Sequence, residues 1–164
     1  MGIDADFSIN QVNELLRSIS SIMKEEVIRA LSYLGEQCVR RVRDRSGKET
    51  WFDQTGNLRS SIGYAVYEQG KTVIESAFNQ VAQGSQGSSE GRRLVADLAS
   101  KYAETYALVV VAGMEYADYV EAMKGKDVLA STELWAKGEV DRYINQALGR
   151  AEKRISQLQH KLGL

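Results

Sequence analysis

Apolar side chains recur at spacings of three and four residues near both ends of the chain, and this periodicity constrains the fold most. Such spacing places the side chains on one face of a helix. It predicts a helix over residues 9–45 and a second over residues 132–161. The first stripe comprises Leu16, Ile19, Met23, Val27, Ala30, Leu34, Cys38 and Val42. The second comprises Ile144, Leu148, Ala151, Ile155, Leu158 and Leu162.

The start of the first helix carries two capping signals. Ser8 and Gln11 have the spacing of a capping box, and Phe7 and Val12 are placed for a hydrophobic staple. Cys38 falls within the apolar stripe and is expected to be a buried small side chain. The C-terminal stripe has two interpretations, packing on the first helix or the sheet, or pairing with a helix of another copy.

The middle of the chain has the character of strands. Residues 62–69 and 72–78 are predicted to pair as an antiparallel hairpin with a tight turn at Gln69-Gly70-Lys71. The run TYALVVVAG (residues 105–113) is almost continuously apolar, which predicts a strand buried on both faces at the centre of the sheet. A short helix or turn follows at residues 116–125, and a brief strand is possible at 126–130.

Glycine and serine dominate the segment between the hairpin and the apolar strand. They predict a mobile loop at about residues 79–91, followed by a helix over about 90–104. The fold class expected from the whole pattern is α+β. A small, mostly antiparallel sheet packs against the long N-terminal and C-terminal helices in a single domain of residues 1–164.

Composition narrows the functional classes. The 164 residues carry 21 Lys and Arg against 22 Asp and Glu, so no overall field draws the chain onto nucleic acid or an anionic membrane. A single cysteine excludes an internal disulfide. The N-terminal residues lack a signal-peptide pattern and no apolar run is long enough to cross a bilayer, so a cytoplasmic chain is expected.

One segment resembles a phosphate-binding loop. AVYEQGKT (residues 65–72) ends in Gly70-Lys71-Thr72, but its central residues favour a strand and include an acid. A phosphate loop needs a helix after the glycines, whereas TVIESAF favours another strand, so a hairpin turn is the better interpretation. His160 is the only histidine, which leaves no partner for a histidine-based catalytic or metal site. We therefore predict no catalytic residue, no cofactor and no metal.

Basic residues cluster where the first helix should end. They are Arg40, Arg41, Arg43, Arg45 and Lys48. Cations at a helix C-terminus interact favourably with the helix dipole, which explains most of the cluster. Contact with DNA phosphates is a possible alternative, weakened by the nearby acids Asp44, Glu49 and Asp53.

Two short motifs flank the predicted strands in the sequence. TGNLRSSI (residues 55–62) precedes the first strand, and YADYVE (residues 116–121) follows a later one. Together they resemble the small tail-completion and head–tail joining proteins of long-tailed bacteriophages and prophages, whose patterns are T-G-x-L-R-x-S-I and Y-A-x-Y-V-E. The matching positions are Thr55, Gly56, Leu58, Arg59, Ser61, Ile62, Tyr116, Ala117, Tyr119, Val120 and Glu121.

The residues themselves predict structural roles, whereas the resemblance implies a function. From the residues alone, Thr55 should cap a turn, Leu58 and Ile62 should face the core, and Tyr116 and Tyr119 should share a helical face, more naturally packed on the sheet than in a subunit contact. The resemblance implies a non-enzymatic structural protein that forms a homo-oligomeric ring and contacts other neck or tail proteins. It would assemble in the host cytoplasm and then reside in the virion. The alternatives are a nucleotide-binding protein or enzyme using residues 65–72, and a cytoplasmic helical adaptor.

Overall fold

The chain forms a single α+β domain, as the sequence predicts, in which the long N-terminal helix packs on a small sheet and the long C-terminal helix packs along the first. The structure, a computed structural model, describes residues 8–45, 51–123 and 126–162. Phe7 and Lys48, which belong to the predicted staple and basic cluster, lie outside these residues. The elements are α1 (Ile9–Arg43), α2 (Asn57–Ser60), β1 (Ile62–Glu68), β2 (Lys71–Glu75), α3 (Ser85–Leu98), a 3-10 helix (Ala99–Tyr102), β3 (Tyr106–Ala112), α4 (Ala117–Ala122) and α5 (Ala130–Leu162).

The sheet has three antiparallel strands in the order β2-β1-β3. The prediction that residues 105–113 form the central strand is wrong, because β1 is central and β3 lies at an edge. β1 is buried along nearly its whole length, whereas most β3 residues are only half-buried. A continuous apolar run therefore marks an edge strand here. The brief strand considered at residues 126–130 is also absent from the described residues, which continue directly into α5.

The turn between β1 and β2 confirms the predicted hairpin. Gln69 and Gly70 form a two-residue connection with φ values of 48° and 78°. Two successive positive φ values characterise a type I′ turn, whose twist suits an antiparallel pair. Lys71 and Thr72 are exposed residues of β2, so no helix follows Gly70 to direct amide groups at a phosphate.

Helices cover both faces of the sheet. α1 packs on one face through a cluster that includes Val39, Val42, Ile62, Tyr64 and Val66. α3 covers the other face through a cluster of Ala65, Tyr67, Phe78, Val95 and Val111. α5 packs along α1 through Ala30, Leu34, Cys38, Tyr143 and Ala147. Cys38 is buried as expected, and burial raises the pKa of its thiol to about 11.

Ion pairs join the two long helices in antiparallel register. Glu26 is 1% exposed, and its carboxylate lies 2.7 Å from Arg150 and 3.0 Å from Arg154. At the opposite end of the pair, Arg45 lies 2.7 Å from Asp127 and donates a 2.6 Å hydrogen bond to Thr132 in α5. A buried carboxylate without its cations would be costly, so these contacts select one register of α1 on α5.

The buried face of α5 shares only Ala151 with the predicted stripe. The buried members of its helical face are Tyr143, Ala147 and Ala151, four residues apart, whereas Ile144 and Leu148 are half-buried. The alanines permit close approach of α1, so the seam follows small side chains that hydrophobic periodicity does not emphasise. Within the described residues, neither helix has a buried residue before Glu26 or after Ala151, and Leu16 and Leu162 are exposed.

The predicted Gly/Ser loop at 79–91 is wrong in its second half, because α3 begins at Ser85. Gly84, Gly87 and Gly91 are buried, and each faces a close neighbour. A Cβ at Gly87 would lie 1.9 Å from the carbonyl oxygen of Asn57, and one at Gly84 would lie 2.2 Å from Ser60 Oγ. The glycines that suggested a loop instead allow α3 to pack against α2.

Exchanging single helical glycines for alanine tests this packing. Gly87→Ala should lower the free energy of unfolding by more than about 1 kcal/mol, because the clash outweighs the gain in helix propensity. Gly149→Ala in α5 is the matched control, since a Cβ there meets nothing within 4 Å. It should raise the free energy of unfolding by up to about 1 kcal/mol in urea denaturation. Equal effects of the two changes would contradict the packing of α3 described above.

Removing the charge of Glu26 tests the register of the long helices. The hydrogen bond from Arg150, with that from Arg154, holds the pKa of Glu26 below its usual value. The stabilisation is therefore present above the unfolded pKa, about 4.3, and is lost as the pH falls through the folded pKa. The melting temperature of Glu26→Gln should lie well below that of the wild type at pH 7, and the gap should narrow at about pH 3.

The exposed neighbour provides the control for this titration. Glu25 pairs with Arg154 at 2.8 Å but its side chain is half exposed. Glu25→Gln should therefore cost no more than about 1 kcal/mol, as surface ion pairs do. A pH-independent gap between the wild type and Glu26→Gln would show that the carboxylate charge does not hold the helices.

Candidate functional site

The first motif forms a tight turn, the short helix α2 and the start of β1. Gly56 has φ +82°, and a Cβ there would lie 2.0 Å from the carbonyl oxygen of Val81, so the position requires glycine. The Asp53 carboxylate accepts hydrogen bonds of 3.0 Å from the amides of Gly56 and Arg59. Thr55 is exposed and accepts a weaker 3.3 Å bond from the Asn57 amide. The prediction that Thr55 caps the turn is thus only partly right, since Asp53 is the main cap.

Polar side chains of this motif hold the turn in place. Arg59 donates a 3.3 Å hydrogen bond to the carbonyl oxygen of Arg45, and its guanidinium lies 5.2 Å from the ring centre of Trp51. Ser61 is buried and donates to the carbonyl of Leu58 at 2.8 Å. Ser60 occupies an unspecified position of the motif pattern, but it is equally buried and accepts a 2.8 Å hydrogen bond from the Val81 amide. These side chains are fixed within the domain.

The second motif forms α4 and the connection to α5. Glu121 accepts three hydrogen bonds, from the amides of Val128 at 2.8 Å, Leu129 at 2.7 Å and Ala130 at 3.1 Å. These amides lie at the N-terminus of α5, where a carboxylate satisfies unpaired donors and interacts favourably with the helix dipole. Glu121 is therefore a cap for the last helix, a role that a sequence separation of seven to nine residues does not reveal.

The structure brings the two motifs together around one apolar cluster. Leu58 and Ile62 of the first motif are buried, as predicted, and belong to the same cluster as Ala117 and Val120 of the second. Trp51 and Val128 complete this part of the cluster. Two segments that are far apart in sequence thus form one continuous structural unit at this end of the domain.

Four large side chains of this unit remain exposed, and we call them the motif surface. They are Phe52, Tyr116, Tyr119 and Met123, with exposures of 74%, 41%, 68% and 40%. Tyr116 and Tyr119 are therefore not packed against the sheet, contrary to the interpretation favoured from sequence. Partial burial and the negative charge of Asp53 raise the pKa of Tyr116.

Most of the basic cluster is engaged within the chain. Arg43 donates a 2.7 Å hydrogen bond to the carbonyl oxygen of Asn79, and burial, with the charge of Arg59, lowers its pKa. Arg41 lies 4.6 Å from the ring centre of Trp135, and Arg45 pairs with Asp127. Arg40 is exposed. The described members of the cluster thus form no continuous basic face, which leaves contact with DNA without structural support.

The described residues contain no group of three or more His, Cys, Asp or Glu side chains placed to hold a metal ion. In the part of the chain that the structure describes, no helix has the length and apolar character to span a bilayer. No family model, curated protein or solved structure matches the chain.

Truncating Glu121 tests its role as a cap. Glu121→Ala should lower the free energy of unfolding by about 1–2 kcal/mol, the usual effect of losing a helix cap. Glu133→Ala is the control, because Glu133 makes only an exposed ion pair with Lys137 in α5. That pair should contribute at most about 0.5 kcal/mol. If the two variants unfold at the same urea concentration, the three amide bonds do not stabilise the start of α5.

Proposed function

We propose that the protein is a structural component of a long-tailed phage or prophage, acting in tail completion or head–tail joining. It would bind copies of itself and neighbouring neck or tail proteins, without catalysis and without a cofactor. The resemblance of the two motifs to that family is the origin of the proposal. The α+β fold, with both motifs in one structural unit, supports it.

The observation that carries the proposal is a division of roles within the motifs. Ser61 and Glu121 of the motifs, together with Asp53 just before the first motif, are used in internal hydrogen bonds, which hold the backbone of the unit. Tyr116 and Tyr119 contribute to no buried cluster and are exposed together with Phe52. Large exposed aromatic side chains on a rigid support are typical of protein–protein contact sites. The motif surface is therefore the proposed docking site for another virion protein.

A helical adaptor is the second candidate function. It is favoured by the exposed apolar side chains of Ile9, Leu16 and Leu162, towards the ends of the long helices. An adaptor of this kind would bind its partner through α1 and α5, not through the motif surface. Leu16→Ala would then abolish its function, whereas substitutions in the motif surface would have no effect.

Complementation tests the proposal directly. A phage or prophage lacking this gene is supplied with the wild type or with Tyr119→Ala, and particles are scored by electron microscopy and plaque formation. Because Tyr119 is 68% exposed, its truncation should change the free energy of unfolding by less than about 0.5 kcal/mol. It should nevertheless leave heads and tails unjoined or tails incorrectly ended, since loss of an aromatic interface residue removes much of the binding energy.

Two control variants separate the alternatives. Lys71→Ala removes an exposed lysine from the hairpin and should complement as the wild type does. Leu16→Ala should also complement if the protein is not a helical adaptor. Normal particles in the complete absence of the protein would overturn the proposal, whereas an inactive Lys71→Ala beside an active Tyr119→Ala would favour nucleotide binding.

A further inference from the structure

One edge of the sheet combines the features of a strand that pairs with another chain. β3 (Tyr106–Ala112) is apolar apart from the Tyr106 hydroxyl, and contains neither proline nor a charged residue. Within the described residues, it pairs only with β1. Edge strands in monomeric proteins are usually short, charged or interrupted, because an apolar free edge recruits further strands. β3 has none of these three protections, and α5 lies beside it across an open cleft.

The alternation of hydrogen bonds between β1 and β3 shows which backbone groups of β3 face the open edge. The Gln69 amide donates to the Thr105 carbonyl and the Gly113 amide donates to the Ser61 carbonyl, both at 3.1 Å. Hydrogen-bonded pairs alternate in an antiparallel ladder, so residues 107, 109 and 111 direct their backbone groups at β1. Leu108 and Val110 consequently direct their amide and carbonyl groups away from the sheet, at its open edge.

An apolar cleft lies beside this edge. It has a volume of about 470 Å³ and separates β3 from α5. Its walls include Leu108 and Val110 from β3 and Ala136 and Val140 from α5, and its floor includes Leu34 and Cys38 from α1. α5 thus covers a space next to β3 that no described strand occupies. An added strand would bond to the free edge and place alternate side chains in the cleft.

The opposite edge of the sheet has the complementary arrangement. β2 (Lys71–Glu75) is exposed along most of its length and, within the described residues, pairs only with β1. Its Ile74 borders a shallow cleft with Ile28 and Tyr33 of α1, and no described helix lies across that cleft. β3 therefore has a covering helix but lacks a strand, whereas β2 is a strand that lacks a covering helix.

We infer that β3 of one copy pairs with β2 of the next, so that the sheet continues from subunit to subunit beneath α5. The inference deepens the proposed function, on which its biological role depends, by assigning the contact between copies in the assembly. Both strands run antiparallel to β1 and thus parallel to one another. A rotation about an axis along the strands keeps that direction, and a head-to-tail contact repeated by such a rotation closes a ring when the rotation is a whole fraction of a full turn.

A two-fold contact between two β3 strands fits less well. In that arrangement both copies would place α5 over the same side of the same short stretch of sheet, because each α5 lines the cleft next to its own β3. β2 carries no such helix, so it can enter the cleft without competition. The second copy's β2 is therefore the occupant that the two edges favour.

Cross-linking between single-cysteine variants tests the inference. Glu75→Cys and Val109→Cys place thiols on β2 and β3 at residues that both align with Ala65 of β1, and hence on the same face of the sheet. The two purified full-length variants are mixed at high concentration and treated with a short bis-maleimide. Cys38 is buried and its raised pKa suppresses the reactive thiolate, so it should not interfere. The mixture should yield a cross-linked dimer containing one chain of each variant.

The Val109→Cys variant alone supplies a control for the geometry of the contact. Val109→Cys alone should yield little dimer, and its efficient self-linking would overturn the inference in favour of the two-fold contact. Absence of the mixed dimer, with circular dichroism showing both chains folded, would also overturn it. If Glu75→Cys does not fold, Thr72→Cys on the same strand replaces it. Addition of Val110→Pro to the Val109→Cys chain should abolish the mixed cross-linked dimer. The Val110 amide faces the open edge and not β1, so proline removes a donor to the added strand without removing a hydrogen bond to β1.

Failure of the cross-linking test can be distinguished from failure of the complementation test. A mixed cross-link with normal particles in the absence of the protein would retain the edge pairing and reject the virion role. Loss of particles in Tyr119→Ala without any cross-link would retain the virion role and reject the edge pairing.

Discussion

The antiparallel packing of α1 on α5 is the constraint on which the rest of the structure depends. Glu26 between Arg150 and Arg154 fixes one end of the helix pair, and Arg45 with Asp127 fixes the other. The pair brings residues from opposite ends of the sequence onto one face of the sheet. The small sheet needs such cover, because the apolar face of a sheet must be buried against another element. The same pairing positions the start of α5, which Glu121 caps from the second motif.

The sequence predicts those features that depend on local periodicity. The extents of α1 and α5, the capping box at Ser8 and the hairpin turn at Gln69-Gly70 are confirmed, because each is encoded in neighbouring residues. The errors concern tertiary contacts. The apolar run of β3 predicted a central strand, but its outer edge meets a cleft instead of a strand of the same chain. The glycines of α3 predicted a loop, but they permit close contact with α2.

The candidate site was predictable as two segments but not as one unit. Spacing alone indicated that Leu58 and Ile62 face the core. It did not reveal Asp53 as the main cap, nor Glu121 as the acceptor for amides seven to nine residues away, because these bonds depend on the path of the chain. The motifs therefore contain two kinds of residue. One kind holds the fold, and the other, represented by Tyr119, remains available for contact. The two kinds predict different phenotypes, loss of stability and loss of assembly.

The most direct test of the proposed virion role is the protein content of purified particles. Particles from the phage or induced prophage proposed to encode this chain are banded on a density gradient and quantified by mass spectrometry against the capsid and tail proteins. A structural neck or tail component should be present at a fixed number of copies per particle, equal to the ring or a multiple of it, and should resist high salt. Abundance in the lysate with absence from purified, infectious particles would contradict the account.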